Sequence, residues 1–268
     1  MRSRARAPKA PTDGPSPVDW QGRPLDCSCC VARTEQRARC ELGHACVHDR
    51  YALRVDRFFR WNPGLADAWL AHDYFEVRAI AVRFASLFRL KRLREDPDET
   101  VRSAVAARVP QRLLQAMLND PHREVRIRVA QRLASEQLVA LLWDTDYYVR
   151  VWVARRIPYR FLLRLVEDPE LKVRLEVAER LNPAALSLML GDPDTLVRRI
   201  VARRAELAIA IRLAQDPVWE VRWEVAQRAG ESVLRRLLHD QEPEVRGLAR
   251  KRLESLRVTQ AGSKPEPG

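Results

Sequence analysis

The chain has 268 residues, of which 48 are Lys or Arg and 36 are Asp or Glu, leaving a formal net charge of +12. That balance makes an anionic partner, nucleic acid included, one of the first readings to weigh. No run of about 18 apolar residues is present to span a bilayer. With only nine glycines, no glycine-rich phosphate loop and no nucleophile–base set, the chain is expected not to be an enzyme and to have no small-molecule substrate.

Residues 1–17 combine Arg2, Arg4, Arg6 and Lys9 with Pro and Gly, without seven consecutive apolar residues. They are expected to form a disordered tail rather than a secretory signal. The protein is therefore expected in the cytoplasm, where thiols stay reduced and ligation explains cysteines better than disulfides do.

The next segment, 18–47, holds all five cysteines, Cys27, Cys29, Cys30, Cys40 and Cys46, together with Gly43 and His44, and His48 lies just beyond it. A lone buried cysteine is commonly a small hydrophobe, but five in twenty residues and none in the 222 that follow point to ligation. Thiolates suit both zinc and iron–sulfur clusters. Only Cys27 and Cys30 have the C-x2-C spacing of a zinc knuckle, and the intervals to Cys40 and Cys46 suit a loop wrapped around a larger object. An iron–sulfur cluster therefore ranks ahead of zinc, and zinc ahead of disulfides or inert thiols. His44 and His48 read as exposed or supporting residues more readily than as ligands.

From residue 72 to 257 the dipeptide Val-Arg recurs eight times at an interval of 24 residues, from Val77-Arg78 to Val245-Arg246. A fixed period of this size predicts a stack of small units that bury a continuous core against one another. With Asp96 as position one, the frame reads Asp-Pro-x-x-x-Val-Arg-x-x-Val-Ala-x-Arg, followed by about ten Leu-rich residues. Asp is expected to cap a helix that runs from position 2 to 13, with Pro at its first turn. Val at positions 6 and 10 forms its core stripe, and Ala at position 11 admits a close neighbour. The residues left over are expected to make a second helix of one or two turns, for which 3-10 geometry is an option. Residues 48–71 fit the frame in degraded form, with Leu53-Arg54 in the Val-Arg slot and Asn62-Pro63 matching Asn182-Pro183; they are read as a capping repeat. Residues 258–268 are read as a second disordered tail.

Position 7 is Arg in all eight repeats and position 13 is Arg in seven. Between residues 72 and 257 there are 35 basic and 27 acidic side chains, and the fifteen Arg and seven Asp of the frame account for the whole surplus. A surplus lodged in the frame is better absorbed by Asp caps and helix C-terminal carbonyls than spent on phosphates. The alternative is a nucleic-acid or partner surface made by Arg78, Arg102, Arg126, Arg150, Arg174, Arg198 and Arg222. Trp219 and Trp223, one turn apart, are likewise better read as packing than as a base-stacking platform, and so are Trp61 and Trp69.

Three features together carry a resemblance: the repeat frame, the segment Leu25-Asp26-Cys27 to Cys46, and the following Arg57-Phe58-Phe59-Arg60-Trp61-Asn62-Pro63. In these the chain resembles the leucine-rich repeat variant (LRV) family, 4Fe-4S-binding repeat proteins found with nitrogen-fixation genes in bacteria. The resemblance implies a 4Fe-4S cluster held by Cys27, Cys30, Cys40 and Cys46. Cys29 is then an extra thiol and a possible alternative ligand to its neighbour Cys30. It also implies an all-α, right-handed solenoid in which α-helices alternate with short 3-10 helices, preceded by a small cysteine-rich cluster domain. Four thiolate ligands leave no open iron for a substrate. The expected protein is thus a cluster-stabilised or redox-sensitive scaffold for an unidentified protein partner. Nucleic-acid binding and a zinc-stabilised module are the alternatives, and no membrane is involved.

Overall fold

In the first seven repeats each Val-Arg pair lies inside an α-helix of eight to ten residues, and a short second element follows. The computed structural model describes residues 14–261, with side chains through 257. The outer parts of both expected tails, 1–13 and 262–268, lie outside the described residues. Among the described residues there is no strand, only the isolated bridges Val18–Pro24 and Glu41–Ala45. No helix is long and apolar enough to cross a membrane.

The chain forms two compact units that meet in sequence at Ala134 and Ser135. The first unit holds the cysteine segment, the α-helix Ala52–Trp61 with its 3-10 partner Pro63–Trp69, and the repeat helices Phe75–Val82, Glu99–Ala106 and Arg123–Arg132. The second unit holds Tyr147–Arg156, Leu171–Arg180, Thr195–Arg204, Trp219–Ala226 and Pro243–Ala261, each of the first four followed by its short element. The last of these helices continues past residue 257 into the segment read as a tail. The second element is 3-10 at Leu87–Glu95, Ser135–Leu141 and Ala185–Met189, α-helical at Gln111–Gln115 and Glu231–Leu237, and mixed where Tyr159–Leu162 passes into Leu163–Leu165 and Leu207–Ala210 into Ile211–Gln215.

Packing explains both the Val stripe expected of the helix and the Leu-rich pattern that follows it. Val at positions 6 and 10 and Ala at position 11 are buried throughout, as in Val173, Val177 and Ala178. The chain then leaves the helix at position 14, where Val109, Leu133, Ile157 and Leu181 are buried. It returns to the core at positions 19 and 22, as in Leu162 with Leu165 and Leu186 with Met189. Residues three apart stack on one line in a 3-10 helix, so this tight geometry keeps both side chains inward. Each fully buried Val or Leu contributes about 1.5–3 kcal/mol relative to exposure.

The position-one Asp is not the helix N-cap, and the structure corrects that expectation. The helices begin at position 4, and the cap at position 3 is served by a side chain only where that residue is Asp98, Asp146 or Asp194. The position-one carboxylate has two other tasks. It accepts the backbone N–H two residues on, as Asp168 does from Glu170 at 2.9 Å, and it receives both arms of an arginine from the preceding repeat.

That arginine is the one in the Val-Arg pair. Arg150 donates Nε and Nη2 to the two oxygens of Asp168 at 2.8 and 2.9 Å, while its Nη1 reaches the carbonyl of Asp144 at 2.8 Å. The same fork joins Arg78 to Asp96 and Arg102 to Asp120 in the first unit. In the second it joins Arg174 to Asp192, Arg198 to Asp216 and Arg222 to Asp240. The position-13 arginines reach backward instead, donating to carbonyls at the C-terminal end of the preceding repeat's helix. Arg132 binds the Ala106 and Val109 oxygens at 2.6 and 2.9 Å, and Arg228 binds the Ala202 oxygen at 3.0 Å. Unpaired carbonyls at a helix end carry partial negative charge, so the position-7 arginines are paired with carboxylates and the position-13 arginines are hydrogen-bonded to helix-end carbonyls within the stack.

Position 11 of the eighth repeat is an exposed Arg250 where six others have Ala.

Two outcomes are expected from these forks. Asp192→Ala removes one partner of a nearly buried pair and should destabilise the protein by about 3 kcal/mol, read by denaturant unfolding. The Arg222 guanidinium holds the Asp240 carboxyl below the usual carboxylate range. That contribution is present above the unfolded value of about 4 and is lost as pH falls through the lower folded one. Asp240→Asn should therefore lower the melting temperature at neutral pH, with the difference from wild type vanishing in acid.

Candidate metal centre

The cysteine segment has little regular structure of its own and is held by turns and by the helix that follows it. Asp26 accepts the Ser28 amide and hydroxyl at 2.8 Å each, which curls the chain between Cys27 and Cys30. Cys30 opens the one-turn helix Val31–Thr34. Glu41 and Ala45 exchange backbone hydrogen bonds at 2.8 Å around Gly43, whose φ of 78° a side chain would strain. This tight turn sets Cys40 and Cys46 at the two ends of a small loop.

Four thiols line one cavity: Cys27, Cys30, Cys40 and Cys46, with a wall that includes Ala32, Leu42, Val47 and Phe58. Cys29 is exposed and takes no part in that wall. Cys46 is the most enclosed, and burial, followed by the nearby Asp49, Cys30 and Cys27, pushes its thiol up to about 12 against a pull from the His48 amide. Cys40 is raised by burial and then by Cys30 and Cys27, opposed by Arg33. Thiols that feel one another in this way cannot all ionise without a compensating cation, as metal ligation supplies.

The donor set fits an iron–sulfur cluster. A single ion needs donors converging on one point, and among the described residues no three Cys, His, Asp or Glu do so. A cubane instead takes one thiolate at each of four corners, spread around a wall. The cavity measures about 10 Å3, room for about one water, and three of its four thiols are only half-buried.

The helix Ala52–Trp61 anchors the segment from below. Asn62, at its end, accepts the Arg39 amide and donates to the Arg39 carbonyl, both at 2.8 Å, and donates also to the Phe58 carbonyl at 2.8 Å. The chain is thus pinned immediately before Cys40. Trp69 donates Nε1 to Gln36 at 3.1 Å, and the Arg39 guanidinium lies 4.7 Å over the Trp61 ring. Arg54, wholly buried, donates to Asp49 at 2.9 Å and to the Pro15 carbonyl at 2.6 Å. Residues 14–17, read from sequence as part of a tail, are therefore held in place. Gly14 lies so close to the Tyr51 ring that a Cβ would stand 2.9 Å from it.

The histidines are engaged elsewhere. His44 Nδ1 lies 2.9 Å from Arg57 Nη1, and His48 packs edge-on against Trp69, its imidazole held toward the neutral form by burial and by His72. Neither lines the thiol cavity. The framework arginines flagged as a possible surface are turned into the stack, with side chains 11–12% exposed for Arg78, Arg102, Arg150, Arg174, Arg198 and Arg222. Arg126 donates to the Asp120 and Pro121 carbonyls. Trp219 and Trp223 are half-buried. The residues that sequence reasoning left without a role are Asn62, Arg57 and Phe58, although all three stand in the string Arg57 to Pro63 that carries the resemblance.

Residues 17–68 match the family model described as the LRV protein FeS4 cluster. A solved structure described as a leucine-rich repeat variant with a novel repetitive protein structural motif is 44% identical, matches 85% of this chain and 99% of its own, and superposes with a TM-score of 0.81. An uncharacterized 27.7 kDa protein in the nifB 3' region of Rhodobacter capsulatus is 48% identical over 99 residues, 37% of this chain and 40% of that relative's length. The chain belongs to the leucine-rich repeat variant family, and the cofactor of its N-terminal region is a 4Fe-4S cluster.

Asn62→Ala removes three hydrogen bonds and should loosen the Cys40 loop by about 2 kcal/mol. Its measurable consequence is faster iron release to a chelator, with the repeat helices unchanged by circular dichroism.

Proposed function

We propose that Cys27, Cys30, Cys40 and Cys46 ligate the cluster, that Cys29 stands outside the ligand set, and that the protein is a non-enzymatic scaffold for a partner protein. The observation that carries the ligand choice is the cavity: those four thiols face it and Cys29 does not. When bound, the cluster supplies a cross-link between the two cysteine loops and a one-electron redox couple.

The chain's own residues make that couple dependent on local structure. The His48 amide and the charge of Arg33 favour thiolate at Cys46 and Cys40, Asn62 fixes the approach to Cys40, and Phe58 closes the floor. A loop region with so few internal hydrogen bonds depends on its cross-link, so loss of the cluster frees residues 18–47 while the repeats keep their own core. That difference suits a structural or sensing role better than electron carriage. In this reading the repeats offer the partner surface, and the protein works in the cytoplasm in the genetic setting of its Rhodobacter relative. The inward forks of the framework arginines favour their structural role over a phosphate-binding groove.

Protein purified without oxygen should contain iron and sulfide in equal amounts and give an EPR signal on reduction; one zinc with no sulfide would replace this reading with the zinc-stabilised module. Cys29→Ala should keep the iron and Cys40→Ala should lose it, and the reverse pattern would move the ligand set. Chelation of the iron should expose residues 18–47 to protease while the repeat helices persist.

A further inference from the structure

The first full repeat carries a surface that the repeat frame does not call for. Its 3-10 helix, Leu87–Glu95, turns Leu90 wholly inward and leaves Phe88 75% and Leu87 51% exposed. At the position of Phe88 the other repeats with such an element have Arg112, Glu136, Arg160, Ala184, Ala208 and Ser232. A large apolar side chain there is therefore no packing requirement of the frame; Trp143 and Leu188 are exposed too, and what sets Phe88 apart is the exposed Leu87 beside it and the charge around both.

Charge surrounds it. Residues three apart eclipse on a 3-10 helix, so Lys91 stands above Phe88 and Arg92 above Arg89, giving two adjacent ridges. Arg89, Lys91 and Arg92 are all exposed, and the Arg89 guanidinium lies 5.4 Å over the Phe88 ring. Arg112, one repeat on, is exposed at the place equivalent to Phe88. Acids stand nearby as well: Asp67, which holds the Ser86 amide and hydroxyl, also feels the charge of Arg89, and Glu95, exposed at the end of the same helix, lies 3.9 Å from Arg94, while Asp56 holds Arg60 and Arg83. The cations of the patch outnumber these acids, so it keeps a positive surplus that an incoming carboxylate meets favourably.

We propose that Leu87, Phe88, Arg89, Lys91, Arg92 and Arg112 form the docking patch for an acidic partner protein, whose apolar pocket takes Phe88 and Leu87 while its carboxylates pair with the cations. The proposal rests on the scaffold reading and names the face that reading leaves open. A protein fits better than nucleic acid for two reasons. Leu87 beside Phe88 adds aliphatic surface on which a base does not stack, and the position-7 arginines, paired with aspartates inside the stack, form no cationic track to follow a phosphate backbone beyond this patch. Aromatic and Arg side chains ringed by charge are the composition of protein interface centres.

The test uses the cluster-loaded full chain and labelled poly(Glu,Tyr), with poly-Glu, single-stranded oligothymidylate and phosphatidylglycerol vesicles alongside. Wild type should bind poly(Glu,Tyr) more tightly than poly-Glu, and more weakly as salt rises. The triple change Arg89→Glu, Lys91→Glu, Arg92→Glu should weaken binding at least about tenfold and Phe88→Ser at least about threefold. Leu188→Ser, exposed in the other unit, should change nothing, and iron content and circular dichroism should match wild type throughout. The proposal is overturned if wild type does not bind the copolymer or the patch variants bind it normally. It is equally overturned if oligothymidylate or vesicles bind more tightly and are lost with the same substitutions. Copolymer binding that survives the triple change places the partner surface elsewhere on the repeats, sinking the patch and sparing the scaffold. Tight, patch-dependent binding by protein that proves to hold no iron overturns the cluster reading and leaves the patch intact.

Discussion

The fork between the arginine of one repeat and the position-one aspartate of the next is the interaction on which the stack depends. In each of these forks the guanidinium serves two turns: Nη1 closes the carbonyls of the corner that opens its own repeat, and Nε and Nη2 grip the next carboxylate, as Arg174 does. A planar, five-donor group can do both, and lysine cannot. The carboxylate is equally committed, since it also takes the amide that starts its own corner. Apolar burial drives repeats together without direction. The fork supplies register, because only a shift of one whole repeat restores all these hydrogen bonds.

This commitment changes the meaning of the net charge. A basic chain invites a nucleic-acid reading, yet the arginines at position 7 are paired with aspartates and those at position 13 are hydrogen-bonded to helix-end carbonyls inside the stack. Basicity of that kind is a property of the frame and scales with repeat number. Cations outside the frame are distributed locally, as in Arg89, Lys91 and Arg92, exposed beside Phe88 on the first repeat.

The cluster region stands in the opposite condition. Its turns and one short helix bury little, and it borrows rigidity from the degenerate repeat through Asn62, Trp69 and Arg54. In that repeat the fork itself is altered. The residue that would receive Arg54 is His72 rather than Asp, and Arg54 turns to Asp49 and the Pro15 carbonyl instead. The same framework arginine that joins repeats elsewhere here fastens the leading segment of the chain to the array.

By itself the sequence determined the period, the helical stripe at positions 6 and 10, the close contact at Ala in position 11 and the cysteine-rich segment, because each rests on residue type and spacing along the chain. The string from Arg57 to Pro63 also pointed to the family before its side chains had roles. Tertiary structure alone decided that the Asp is a receptor for a neighbour's arginine rather than a helix cap, since its partner lies 18 residues away and local capping preferences carry no information about it. The resemblance had already singled out Cys27, Cys30, Cys40 and Cys46; tertiary structure added that these four line one cavity while Cys29 is exposed outside it, because the way the chain turns two adjacent residues is not written in their spacing. The exposure of Phe88 was decided there as well: an apolar residue in a Leu-rich segment reads as core until the 3-10 helix, by turning Leu90 inward, leaves Phe88 outside.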